Sequence, residues 1–352
     1  MFSFRTTPIE EQLDKALRDG RVAVFCSQNS WDPATGRYLA DIFRERGNLA
    51  KVFSPDESEL SPFESHIEFD PDELAGLAAI VVEIQDCGSR YGSHTIDVLR
   101  LMNALNALEE APALYVIDHP NPAGRHVEGT MPLVDADMWT PKVTHRHGLT
   151  LGELCHLYLS EIGGRFALHI ISAEAGPVGR TLMPWSIAPS SGLPGLFTPL
   201  MYAGGALWEG TSITPGIGTT RPYEYIGAPF IHADGSAPAA EGAWLRPCSF
   251  TPAFGMYEGT RCEGYQILLV PGEEYHSLLH TLRLMKYFQE HYSMFEISGQ
   301  VYARIADPVI EAFLKGDITF DIVEEHVKTE EQKWIRKAKR FALYADLPCR
   351  IK

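Results

Sequence analysis

Short apolar runs alternate with amphipathic stretches through the first third of the chain. Arg21 to Phe25 is an apolar run of strand length, followed by a helical pattern over Thr35 to Arg46 with Tyr38, Leu39, Ile42 and Phe43 on one face. Leu49 to Phe53 predicts a second strand. Asp70-Pro71-Asp72-Glu73 predicts a helix start, with an Asp cap and Pro in the first turn. Ala78 to Ile84 is a third strand-like run. Thr95 to Glu110 follows as a helix, with Val98, Leu101, Met102, Leu105 and Leu108 at helical spacing, and Ala113 to Ile117 is a fourth strand. Near-continuous apolar strands between amphipathic helices predict a parallel sheet covered on both faces.

The pattern then changes. Thr150-Leu151-Gly152-Glu153 is a capping box opening a helix to about Ile162. The stretch from Pro184 to Pro229 is rich in Gly, Pro, Ser and Thr, and long irregular stretches of this kind more often carry function than idle. Beyond it, a strand at Gln266 to Val270 mixes with helices at Tyr275 to His291, Asp307 to Lys315 and Lys328 to Tyr344. The expectation is an α/β protein: a Rossmann-like, mostly parallel N-terminal domain over residues 1–184 and a smaller α+β domain over 185–352.

Composition narrows the partners. The net charge of -16 and the absence of a Lys/Arg block argue against a duplex nucleic acid. No apolar run approaches the roughly 20 residues needed to span a bilayer, so no membrane insertion is expected. The six cysteines include no C-x-x-C pair, which argues against a zinc ribbon or a disulfide framework and for a reducing compartment. The N-terminus has no basic segment leading into an apolar one, so the sequence as it stands reads as cytoplasmic; removal of a leader would make it periplasmic or secreted.

In parallel sheets, ligands bind beyond the carboxyl ends of the strands. Four segments follow those ends: Ser27 to Asp32, Ser54 to Ser58, Gln85 to Tyr91 and Asp118 to Gly124. A dinucleotide site needs a Gly-rich turn after the first strand, but the turn reads Ser27-Gln28-Asn29-Ser30; a Walker A loop is also missing. No cofactor is therefore expected, and a nucleotide-dependent enzyme is the remotest reading. His145-Arg146-His147, with Asp118, His119 and His126, has ligand chemistry but too little pattern for a metal site, and none is expected. Carboxylates crowd the strand ends: Asp56 and Glu57, Glu83 and Asp86, Asp118 and Glu128. Such groups can supply a general acid and a second carboxylate, or simply cap helices and turns. Trp208, Tyr223, Tyr225, Arg90 and Arg221 add ring faces and carboxylate-binding forks, although core packing is the commoner fate of an aromatic residue.

Taken in order, these motifs resemble the exo-β-N-acetylmuramidase (NamZ) family, over roughly residues 22–344. Glu83-Ile84-Gln85-Asp86-Cys87-Gly88-Ser89-Arg90-Tyr91 is similar to its Asp-Ile-Gln-Asp-Val-Gly-Ala-Arg-Phe, and Asp118-His119-Pro120-Asn121-Pro122 to its Asp-Arg-Pro-Asn-Pro. Val127-Glu128-Gly129, Arg146-His147-Gly148-Leu149-Thr150, Glu209-Gly210-Thr211 and Gly218-Thr219-Thr220-Arg221-Pro222 follow in family order. The resemblance implies a hydrolase releasing N-acetylmuramic acid from the non-reducing end of peptidoglycan fragments, with the active cleft between the two domains. It implies catalytic carboxylates at Glu128 and at the family's Pro-Glu-His-Gly. That motif falls on Pro55-Asp56-Glu57-Ser58, where Asp56 replaces the glutamate and Glu57 stands one residue on.

Glu128 and Asp56 or Glu57 are thus expected to flank the scissile bond. One protonates the leaving oxygen; the other activates water or stabilises the oxocarbenium-like transition state. Arg221, and after it Arg90, is expected at the lactyl carboxylate. Asn121, His147 and Thr220 are expected to hydrogen-bond the sugar, with Asp86, Asp118 and Glu209 also lining its site. The altered motif supports a rival reading: a catalytically inactive paralogue that binds muropeptides.

Overall fold

The computed structural model describes residues 15–32, 35–55, 67–134, 141–172, 187–190 and 192–351. Five parallel strands form the main sheet: β1 (Val22–Cys26), β2 (Leu49–Phe53), β3 (Ala79–Glu83), β4 (Ala113–Asp118) and β5 (Leu168–Ser172), in the spatial order β2-β1-β3-β4-β5. The inner strands β1 and β3 are buried along their whole length, whereas the edge strand β2 alternates, with Ala50 and Val52 exposed. This explains why the first and third runs are uniformly apolar and the second is not.

Alternate residues build two cores. Phe25, Ile80, Val82, Leu114 and Val116 pack under α2 (Ser93–Ala107) and α3 (Leu151–Glu161). Val22, Val24, Val81, Tyr115 and Ile117 pack on the other face, against Leu39, Ile42 and Phe43 of α1 (Leu39–Arg46). Two-residue periodicity in the strands and three-to-four-residue periodicity in the helices meet in each core.

The second unit is an antiparallel sheet of β6 (Tyr225–Ala228), β7 (Ala243–Phe250) and β8 (Cys262–Leu269), in the order β7-β8-β6. Around it lie α4 (Thr198–Gly205), α5 (Ser277–His291), α6 (Gly299–Ile305), α7 (Pro308–Lys315) and α8 (Phe320–Ala338). Trp208, Tyr223, Tyr265, Leu282 and Phe288 dominate its core, which also takes in Cys87 and Tyr91 from the first unit.

The last helix differs from the sequence expectation: it spans 320–338, not 328–344. Its buried residues Val323, Val327, Glu331, Trp334 and Ala338 recur every three or four positions, and the charged first turns conceal that stripe. The strands β5, β6 and β7, and the helices α4 and α6, carry apolar patterns too short or interrupted to be read from the sequence. α8 also returns to the first unit, where Trp334 and Ala338 pack on Val127, Leu149, Leu154 and Leu157. Cys349–Arg350 then pairs in parallel with His126–Val127. Among the described residues, no helix is long and apolar enough to cross a membrane.

Candidate active site

The strand order reverses between β1 and β3, which places the binding crevice of such a fold beyond their carboxyl ends. The loops there are fixed by a buried polar network that contains many of the residues expected in the site.

Asp118 closes β4. It accepts from Thr150 Oγ1 (2.7 Å) and Gly152 N (2.8 Å) at the start of α3 and from Tyr344 Oη (2.6 Å). A Cβ on Gly152 would sit 2.7 Å from the Asp118 carboxyl, which is why glycine stands in the capping motif. Burial pushes Asp118 up to about 6, against the pull of these three donors. Asp86 is likewise saturated: Gly88 N donates at 2.9 Å, Thr95 Oγ1 at 2.5 Å, and His147 Nε2 lies 3.2 Å away. Burial would raise its pKa, but His147, Thr95 and Gly88 together hold it below the ordinary value. Gly88 has φ +81°, and a Cβ there would collide with Asn121 Oδ1 at 2.4 Å. Asn121 itself donates to Leu149 O and accepts from Ala123 N.

Glu128 is fully buried. Arg146 Nη1 donates to one oxygen at 2.8 Å; Ser277 Oγ (2.7 Å) and Leu278 N (3.1 Å), at the start of α5, donate to the other. His276 Nδ1 lies 3.5 Å from that second oxygen, and its Nε2 lies 2.8 Å from Glu331 of α8. Burial would raise the Glu128 pKa, but the His276 and Arg146 charges and the Ser277 hydrogen bond hold it below the usual glutamate value. Glu128 is therefore an ionised carboxylate joining the two units.

Arg90 is also buried. It donates to Thr130 O (2.8 Å) and Ile305 O (2.9 Å), as well as to Arg304 O. Its guanidinium stitches the β3 loop to the end of α6. Arg125 and Glu153 form a buried bidentate pair at 2.5 and 2.8 Å, which the capping box conceals in the sequence. His145 and His147 face different partners: His145 Nε2 lies against Arg90, and Nδ1 accepts from Thr130 N. Burial and the Arg90 charge hold His145 neutral.

A second set of residues, some of them with exposed surface, follows the strand ends or comes from the second unit. His119, directly after β4, keeps 20% of its side chain exposed, and its Nε2 lies 3.2 Å from Glu83 Oε1. Gln28 and Asn29 follow β1 and are half-buried. From the second unit, Glu209 accepts from Tyr223 Oη at 2.7 Å, and Tyr202 Oη donates to Tyr91 O across the units. Thr220 is exposed, and the half-exposed Arg221 donates to Glu224 at 2.9 Å. Asp56 and Glu57 lie outside the described residues; the structure reaches Pro55, two residues past β2. The Glu83–His119 pair did not stand out in the sequence. The sequence raised Glu83 among the strand-end carboxylates and His119 among possible metal ligands, but gave no sign of their pairing.

The loops Gln85 to Tyr91 and Asp118 to Gly124, the Val127-Glu128-Gly129 turn and the Glu209–Arg221 segment are thus one connected structure, in the order that the motifs run along the chain. A family model described as the N-terminal domain of exo-beta-N-acetylmuramidase NamZ matches residues 60–190, and one for its C-terminal domain matches 200–344. The chain belongs to the NamZ family.

Its similarity to peptidoglycan beta-N-acetylmuramidase NamZ of Bacillus subtilis is 29% identity over 234 residues. That match takes in 63% of this chain and 56% of the relative, little more than half the relative's length. Two crystal structures of DUF1343 family proteins from Bacteroides fragilis share the fold, with TM-scores of 0.77 and 0.75 at 20% and 16% identity. Each covers 96% of this chain and 97% of its own. The NamZ fold here is therefore the parallel five-stranded sheet joined to the smaller antiparallel unit.

Proposed function

We propose that this NamZ-family protein is a glycoside hydrolase that releases N-acetylmuramic acid from the non-reducing end of peptidoglycan fragments. The observation that carries the reading is the ordered match of both halves of the chain to the two NamZ domains. The crevice chemistry supports it. Arg221, held from one side by Glu224, presents a half-exposed guanidinium suited to the lactyl carboxylate. Thr220 and Glu209 add hydroxyl and carboxylate partners for the sugar, with Glu209 held by the buried Tyr223 hydroxyl.

In this reading the carboxylate facing the scissile bond is Asp56 or Glu57, which continue the chain from the carboxyl end of β2. Glu128, ionised and engaged by four partners, contributes fixed negative charge rather than a proton. Asp86, Asp118, Asn121, His147 and Arg90 hold the loops that shape the crevice.

The test is incubation with a chromogenic β-N-acetylmuramide beside the matching β-N-acetylglucosaminide, and with a disaccharide carrying N-acetylmuramic acid at its non-reducing end. Release from the muramide alone, with free N-acetylmuramic acid from the disaccharide, is expected. The saturation of Glu128 favours one rival, a muropeptide-binding protein without turnover. Tight muropeptide binding by a well-folded protein that cleaves neither substrate would establish that rival.

A further inference from the structure

A cavity of about 530 Å³ lies one imidazole away from Glu128, within the roughly 300–1,000 Å³ range of small-molecule sites. Its wall is built from the start of α5, the middle of α8 and the Cys349–Arg350 strand. Glu128 does not line it. His276 does, with its Nδ1 toward Glu128 and its Nε2 toward Glu331.

Two groups on this wall have polar capacity that the fold does not use. Glu331 keeps only 2% of its side chain exposed. Its two contacts, Gly129 N at 2.9 Å and His276 Nε2 at 2.8 Å, both fall on Oε1. Its other oxygen, Oε2, accepts from no described group, although a carboxylate this deeply placed calls for donors on both oxygens. Arg350 is half-buried on the same cavity, and its guanidinium meets no acceptor among the described residues. The rest of the wall carries both signs of charge, with Glu241 and Glu274 against Arg283 and Lys328. A bare cation would meet the three basic side chains there, and a bare anion would meet the carboxylates; each would be repelled. A molecule with one charge of each sign satisfies both.

We infer that this cavity binds a small zwitterion, an amino acid or a short peptide. Its ammonium donates to Glu331 Oε2 and its carboxylate accepts the Arg350 fork. The inference does not rest on the glycosidase reading. Because Glu331 also holds Gly129 N and His276, an occupant braces the joint between the two units, and binding is expected to raise the melting temperature.

The test is calorimetric titration of the full chain with alanine, alanyl-alanine and trialanine. Saturable binding is expected, and the length that binds most tightly separates an amino-acid site from a peptide site. N-acetylation of that ligand removes its ammonium and amidation removes its carboxylate. Each change is expected to weaken binding at least about tenfold, as loss of a charge-assisted hydrogen bond implies. Arg350→Ala should weaken the unmodified ligand to the same extent, gain nothing further from amidation, and lose the rise in melting temperature. Glu331→Gln should do the same for the ammonium end. If Glu331→Gln does not fold, Arg350→Ala carries the comparison, since its side chain makes no other described hydrogen bond or ion pair. Absence of saturable binding by the well-folded wild type at millimolar ligand would overturn the inference. Binding indifferent to acetylation, to amidation or to Arg350→Ala would overturn it equally.

Discussion

Two regions carry most of the ionisable groups near the strand ends, and they differ in kind. In the buried seam, Glu128, Arg146, Asp118, Asp86, Arg90, Arg125 and Glu153 lack meaningful exposure, and each is held by fixed polar partners. At the rim proposed for the crevice, Arg221 pairs with Glu224 and keeps half of its side chain exposed. A buried charge is tolerated only when its partners are complete, which leaves it little freedom to engage a ligand. A rim charge has surrendered less of its hydration and can exchange water for substrate. Stability is therefore expected to depend on the seam and turnover on the rim.

The sharpest way to break this contrast is to truncate the seam. Glu128→Ala strands Arg146 and His276 without their carboxylate, and a loss of about 3–5 kcal/mol is expected in denaturant titration. A loss below about 1 kcal/mol would mean the seam is not holding the units together. Trp334→Phe tests the same joint from α8. It removes the indole N–H bond to His147 O (2.9 Å) and part of a buried ring, so about 1–2 kcal/mol is expected.

Acidity probes the seam without mutation. The folded-state pKa of Glu128 lies below its ordinary 4.5, so its contribution is complete above that pH and is lost as pH falls through the folded value. The His276 pKa is raised above 6.5, because Glu331 and Glu128 outweigh the burial that would lower it. Its contribution is complete below that pH and is lost as pH rises through the folded value. The pair is thus most stabilising between about pH 4.5 and 6.5, and Glu128→Gln should flatten the wild-type stability curve on both sides of that window. An unchanged curve shape would rule out this coupling. The smallest effect on stability is expected at the rim. Arg221→Ala should shift unfolding by less than about 0.5 kcal/mol yet raise KM for the muramide by at least about tenfold, as loss of a charge-assisted bond implies.

The sequence disclosed the sheet well because its inner strands are uniformly apolar and its helices amphipathic. It missed β5, whose residues are mostly half-buried, and it shifted α8 because charged first turns mask the Val323–Val327 stripe. The motifs fall on loops that the fold ties together by buried hydrogen bonds, but the sequence does not disclose how each polar residue in them is held. Strongly patterned residues such as Glu128 and Asp118 look alike in sequence whether they meet a substrate or a helix N-terminus. What separates them is the partner set, and those partners come from far along the chain: Ser277 for Glu128, Tyr344 for Asp118. Glu83 and His119 were visible as strand-end residues, but their pairing depends on the register of neighbouring strands.

The contrast is tested most directly by measuring disaccharide turnover and melting temperature side by side for Glu128→Gln and Arg221→Ala. The expected result is a lowered melting temperature for Glu128→Gln, and for Arg221→Ala a melting temperature near that of the wild type with KM raised at least about tenfold. The reverse pattern, with Glu128→Gln stable but inactive and Arg221→Ala unchanged in KM, would place the chemistry in the seam and contradict the assignment.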